Sequence, residues 1–261
     1  MRRNIVRQSG FTLIEIAIVL LVVAILLGYS VAMLPVQQEL KQYRHANDEM
    51  NMIIDQLIAF AQVNGRLPCP DDDDPPDGEE DRTGAPPIDN DCNVYYGYLP
   101  ARTLGIDGKY SGDGALIDPW GSPYRYAVSE TDAGDGNFDF VTANGIRDEG
   151  MANVVDPALD PPDLYLCSDS ATTDPDDKDC SDVTGDPVVE NVAAVIVSLG
   201  KDYEDPATSN IQAENMDDFQ VSPPLDGVFI AAPRREDYDD IVKWVSTNLL
   251  FSKMIEAGQL P

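Results

Sequence analysis

A continuous apolar run from Phe11 to Leu34, set behind a basic start and carrying one charge at Glu15, constrains this chain more than any other feature. As a helix rising about 1.5 Å per residue, the run is long enough to cross a hydrocarbon layer of ~30 Å. A carboxylate at the centre of that layer costs roughly 2.5–3.5 kcal/mol, so Glu15 calls for a partner. A removable secretory signal would end its apolar region after about 7–15 residues at a small-residue cleavage site. Here the small residues, Ser9 and Gly10, precede the run. The sequence therefore predicts a helix that is kept, as a plain anchor or as one that packs against copies of itself.

Charge sets the topology. Arg2, Arg3 and Arg7 precede the run with no acid among them, whereas the whole chain holds 47 acidic and 17 basic residues, a net charge of −30. Basic residues stay on the cytoplasmic side of a membrane segment, which places the N-terminus inside and the acidic bulk outside. Such a balance argues against nucleic-acid binding, which needs a positive footprint. Cys69, Cys92, Cys167 and Cys180 all lie beyond the run, on the oxidising side, where disulfides form. Three pairings are possible. The sequential one, Cys69 with Cys92 and Cys167 with Cys180, closes two Asp- and Pro-rich loops. A metal role for these thiols is disfavoured, because there is no CxxC and only one histidine, His45.

Gly10, Phe11, Thr12, Leu13, Ile14 and Glu15, behind a short basic leader and ahead of a continuous apolar helix, resemble the processing site of type IV pilins and pseudopilins. The resemblance implies that a prepilin peptidase in the inner membrane cuts after Gly10 and methylates the new amine of Phe11. It also implies that Glu15 serves assembly, paired with such an amine on its own or a neighbouring subunit. The residues agree with this: Glu15 lies four positions after Phe11, one helical turn away on the same face.

Beyond the run, Val36, Leu40, Tyr43, Asn47, Met50, Ile54, Leu57 and Ala61 follow alternating steps of four and three, one stripe of an amphipathic helix. Pro35 predicts a kink, and Asn64 with Gly65 a helix stop. The acidic run Asp71–Asp81 predicts a solvated, mobile loop, where calcium could condense without a defined coordination shell. Strands are expected at Tyr124–Ser129, Asn137–Thr142, Leu164–Cys167, Val192–Leu199 and Gly227–Ala231. Asp239–Val245 reads as a strand or turn. A last helix is expected at Asn248–Ala257, capped by Ser246 or Thr247 and stopped by Gly258, with Leu249, Leu250, Met254 and Ile255 buried. The organisation is a leader (1–10), a transmembrane and assembly helix (11–35), an amphipathic helix (36–63) and a periplasmic globular domain (64–261).

Asp118, Pro119, Trp120 and Gly121 suit a type I turn and resemble the DPWG turn that opens the small antiparallel sheet of the major pseudopilin of type II secretion. Ser198–Asp202 and Asp239–Ile241 resemble the two ends of that family's calcium loop. The resemblance implies a calcium site with the Leu199 carbonyl and the carboxylates of Asp202 and of Asp239 or Asp240; oxygen donors of this mix suit calcium. Thr131–Phe140 fails as an EF-hand, since Phe140 stands where glycine is required and Ile146 where glutamate is; a hairpin turn around Gly134–Asn137 fits better. No GxxxxGK[ST], HExxH or strand-borne GxGxxG occurs, and His45, on the amphipathic stalk, reads as a surface residue, so no enzyme is expected.

The expectation is an α+β, pilin-like fold, a long N-terminal helix packed on a small antiparallel sheet, serving as a structural subunit that joins other pilin or pseudopilin subunits. The competing reading is a membrane-anchored, calcium-dependent binding or enzymatic domain that uses the helix only for retention.

Overall fold

The computed structural model describes residues 12–32, 34–83, 91–134, 137–159, 161–168, 180, 187–202, 215–216, 227–235 and 238–261, with backbone alone at 28–32, 34–36, 187 and 202. It divides into two compact units, Met1–Arg44 and His45–Pro261. The boundary falls inside the amphipathic helix, so the later part of that helix belongs with the globular unit.

The first unit holds α1 (Leu13–Ala32) and the start of α2 (Leu34–Asn64). Pro35 falls in the first turn of α2, where a missing amide leaves no hydrogen bond unmade. Side chains from Leu13 to Leu27 are exposed and, but for Glu15, Ala17 and Ala24, large and apolar. Among the described residues no helix is long and apolar enough to cross a membrane. The span 11–35 expected from sequence includes Phe11 and Met33, which lie outside the described residues.

In the second unit, α2 buries Ala46, Met50, Ile53, Leu57, Ile58 and Ala61. The expected stripe is corrected at two points: Ile53 replaces Ile54 and Ala46 replaces Asn47, each one residue away. Steps of three and four fit either member of an adjacent pair, and only the docked surface chooses between them. The helix ends as expected, with Gly65 at φ 70° and its N–H donating to the Ala61 carbonyl at 2.8 Å.

The helix packs on a six-stranded sheet: β1 (Tyr96–Tyr98), β2 (Arg125–Val128), β3 (Leu164–Cys167), β4 (Pro187–Ser198), β5 (Val228–Ile230) and β6 (Ile241–Ser246). The run from Val192 to Leu199 is apolar at nearly every position and buried throughout, the signature of a strand covered on both faces. β4 is the spine. β6 pairs along one edge from Val192 to Ser198, while β2 covers Ala194–Val197 and β3 covers Pro187–Val192. Because β6 shares β4 residues with both, β2 and β3 lie end to end on the opposite edge. Residues 129–163 form an excursion between them, which includes the short helices α3 (Gly145–Glu149) and α4 (Met151–Val154).

The sheet is mixed, which corrects the all-antiparallel expectation: β5 runs parallel to β3, with Leu166 beside Phe229. A parallel neighbour requires a long crossover, which the chain between β3 and β5 supplies. Asn137–Thr142 is a turn and not a strand; Phe140 and Val141 are buried there because the Leu67 N–H and Arg82 reach their carbonyls. The expected hairpin turn at Gly134–Asn137 includes residues 135–136, outside the described set.

The C-terminal helix α5 (Thr247–Glu256) starts at Ser246, whose Oγ accepts from the Leu249 N–H at 3.2 Å. It buries Leu250, Phe251 and Met254; Leu249 and Ile255 face outward, against expectation, and Phe251 takes their place. Both expected disulfides of the sequential pairing form, Cys69–Cys92 and Cys167–Cys180. On the outer edge of β5, Ile230 is met by the side chains of Asn215 and Tyr238, whose hydroxyl donates to the Ile230 carbonyl. The Ile230 N–H donates to Asn215 Oδ1 at 2.7 Å and the Ile230 carbonyl accepts from Asn215 Nδ2 at 3.3 Å, so the carboxamide takes the place of a neighbouring peptide.

Candidate functional site

The N-terminal motif is described from Thr12 onward; Gly10 and Phe11 lie outside the described residues. Thr12 caps α1. The Glu15 N–H donates to Thr12 Oγ1 at 3.3 Å, and the Thr12 N–H points to Glu15 Oε2 at 3.5 Å. This is the reciprocal arrangement of a capping box, and it holds the carboxylate at the positive end of the helix. The sequence carried its signal, T-x-x-E at 12–15, alongside the pairing with Phe11. From Leu13 on, the helix offers exposed apolar side chains such as Ile14, Leu20, Leu21 and Leu26. An exposed surface of that kind is unstable in water and calls for lipid or other helices.

The second candidate lies where β4 ends. Asp118, in the DPWG turn, is buried; its Oδ1 accepts from the N–H groups of Trp120, Gly121 and Ser122 at 2.8–2.9 Å. Its Oδ2 accepts from Ser198 Oγ at 2.6 Å. Burial pushes the Asp118 carboxyl above its ordinary range, against the opposing effect of these donors. The two segments singled out separately in the sequence therefore meet through one hydrogen bond. After Ser198, Gly200 turns with φ 66° and the Lys201 N–H donates to Asp239 Oδ2 at 2.8 Å. A Cβ at Gly200 would stand 2.6 Å from Asp239 Cγ, so only glycine fits this close approach.

Of the four residues proposed for calcium, the structure brings Leu199 and Asp239 to this turn. Asp240 is engaged elsewhere: it is buried and its Oδ2 accepts from Asn215 Nδ2 at 2.8 Å, within the group that also includes Tyr238. The Asp202 side chain lies outside the described residues. A backbone carbonyl and one carboxylate at a glycine turn are the donor types a hard cation takes, so Leu199 and Asp239 fit calcium and Asp240 fits it less well.

Residues 5–31 match the family described as Prokaryotic N-terminal methylation motif. The chain carries the prepilin-type motif. No curated protein and no solved structure matches the chain. The prepilin motif implies processing by prepilin peptidase and association with other pilin subunits, as a membrane-anchored or exported fibre subunit.

In the globular part of the chain, the acidic run is a built loop: residues 72–75, Asp77 and Glu79 are exposed as expected, while Asp71 and Glu80 turn inward. Asp71 is fully buried, accepts from the N–H groups of Gly78 at 2.6 Å and Asp73 at 3.0 Å, and its backbone pairs with Tyr98 of β1. Burial raises the Asp71 carboxyl nonetheless. Glu80 takes both guanidinium nitrogens of Arg66, at 2.8 and 2.7 Å, and accepts from the Cys69 N–H at 3.0 Å. Burial would push Glu80 up, but its bonds to Arg66 and the nearby arginine charges outweigh that and hold it below the usual range. Composition alone could not separate these two inward-facing acids from their exposed neighbours. Among the described residues, the carboxylate groups close enough to share an ion, Asp71, Asp73 and Asp77, and Asp72, Asp73 and Asp81, both belong to this loop; exposed acids often gather so without one.

A polar contact joins α2 to the residue just before β2. The buried Tyr124 hydroxyl donates to Glu49 Oε2 at 3.0 Å, and Glu49 also meets His45 at 3.4 Å. His45 is 58% exposed at its side chain, the surface position expected from the sequence.

Proposed function

We propose that the chain is a structural subunit of a type IV pilus or type II secretion fibre, cleaved after Gly10, methylated at Phe11 and held in the inner membrane until assembly. The single observation that carries this reading is the prepilin motif at residues 5–31, continued by an apolar helix whose side chains stay exposed. Exposed helices of this kind bundle at the centre of a fibre, with the acidic domains outside in the periplasm or beyond. The domain is large for a main subunit, which favours a minor or specialised component. The role is structural and not catalytic. Calcium, held by the Leu199 carbonyl and Asp239 with Asp202 beside them, would tie the end of β4 to the start of β6.

The test is mass spectrometry of the protein extracted from membranes of cells that contain the peptidase. The expected N-terminus is a methylated Phe11; an intact Met1 would remove the basis of the proposal. Glu15→Ala should leave cleavage intact and reduce incorporation into fibres.

A further inference from the structure

Two sets of exposed charges, of opposite sign, fall on different units of the chain. On α2, the exposed positions from Gln37 to His45 include the cations Lys41 and Arg44 and no acid; the first exposed acid of the helix is Asp48. Lys41 and Arg44 stand three residues apart and so share a face. The acidic loop carries the other set, with Asp72, Asp73, Asp74, Asp77 and Glu79 all exposed. Among the described residues, none of these side chains enters an ion pair. The loop is held at both ends. Asp71 accepts from the Gly78 N–H at 2.6 Å, and Glu80 grips Arg66 at 2.7 and 2.8 Å, so the carboxylates between them sit on a built surface. Charges already fixed in place lose less freedom when a partner arrives.

We propose that Lys41 and Arg44 on the stalk helix of one copy dock against the acidic loop of a neighbouring copy, an interface between like subunits built on opposite charge. The inference rests on the fibre reading, which brings copies together. Copies of a chain with net charge −30 repel one another at close range, so packing them calls for such a complement. The guanidinium takes a carboxylate through two donors at once, and the lysine adds a compact charge beside it. An anionic lipid surface is the other partner that two cations could meet. Distance along the helix argues against it. Lys41 and Arg44 follow Leu34, where the apolar run ends, by about 10 and 15 Å. A headgroup layer reaches only about 5–8 Å beyond the hydrocarbon.

The test uses the full chain in cells that assemble it. A carbodiimide joins an amine to a carboxylate only where the two touch; dimers are isolated under denaturing conditions and the joined residues found by mass spectrometry. Lys41 should be linked to a carboxylate between Asp72 and Glu79. In parallel, Leu20→Cys, at an exposed position of α1, reports by disulfide dimers whether the apolar helices meet. In that background, Lys41→Glu with Arg44→Glu should cut the dimers several-fold while leaving the methylated Phe11 unchanged, and adding Asp73→Lys with Glu79→Lys should restore most of them. All four positions are exposed, so each variant should keep the parent's melting temperature. Leu20→Cys dimers without the Lys41 link overturn the proposal and leave the fibre reading standing. A loss that the loop reversal does not restore, the result a lipid partner gives, also overturns it. Absence of Leu20→Cys dimers with the native charges overturns both.

Discussion

Ser129 Oγ donates to Asp163 Oδ1 across 2.7 Å, joining the residue that follows β2 to the residue that precedes β3. The Glu130 N–H adds a second donor to the same oxygen at 3.1 Å, and the Ser129 N–H continues the ladder onto the Ala193 carbonyl at 3.1 Å. The mouth of the excursion is thereby closed. Ser129 is fully buried, and its hydroxyl also meets Thr131 Oγ1 at 2.6 Å. Ser129→Ala leaves part of that set unsatisfied and should cost about 1–3 kcal/mol. Urea unfolding checks this: the midpoint should fall with the slope unchanged.

The acidic loop should tighten in mild acid. The Asp72 N–H donates to Asp81 Oδ2 at 2.8 Å, and burial, with the charges of Asp72 and Asp73, pushes the Asp81 carboxyl from 3.8 up to about 6. A raised carboxyl favours the folded state when protonated, so its contribution is full below 3.8 and is lost as the pH rises toward about 6. Glu80, lowered from 4.5, works in the opposite sense, and its contribution is lost as the pH falls below that value. Amide protection factors at Asp72 and Asp73, the intrinsic exchange rate divided by the observed rate at each pH, should therefore be higher at pH 5 than at pH 7. Asp81→Asn should flatten that difference.

Calcium binding should separate two adjacent aspartates. Asp239 faces the Gly200 turn while Asp240 holds Asn215. In calorimetry of the purified chain, Asp239→Asn should abolish the heat of calcium addition. Asp240→Asn should keep it while lowering the melting temperature. Equal heat from Asp239→Asn and the unaltered chain would count against the site.

Gly97 is fixed by a close approach, not by its dihedral angles. A Cβ there would stand 2.6 Å from the Asp71 carbonyl oxygen, which accepts from the Tyr98 N–H at 2.8 Å. Gly97→Ala must push the loop off β1 and should cost about 1–3 kcal/mol, read as a lower melting temperature.

The sequence was most legible where one physical rule acts alone. β3 and the core of β4 announce themselves as apolar runs, the end of α2 as Asn64–Gly65, and the start of α5 as a serine cap. β1 was missed because Tyr96–Tyr98 is three residues long with glycine at its centre; its pairing with β2 and with Asp71 makes it a strand. Ile53 over Ile54, and Phe251 over Leu249 and Ile255, depend on which surface each helix meets, and periodicity leaves neighbouring residues equivalent. At the candidate site, Asp239 and Asp240 look alike in sequence. Asn215, placed far from them in the chain, decides between them. Arg82 and Glu80 gave no signal for the same reason: their meaning lies in contacts with Cys69 and Arg66.

The Asn215 carboxamide on Ile230 bears on how the sheet edge is kept from pairing with other chains. Edge strands with free N–H and C=O groups recruit strands from other molecules. Here the Asn215 amide, joined by the Tyr238 hydroxyl at the Ile230 carbonyl, fills the hydrogen-bonding position that a stranger's backbone would take. Among the described residues, an incoming strand would find the outward-facing amide and carbonyl of Ile230 already taken.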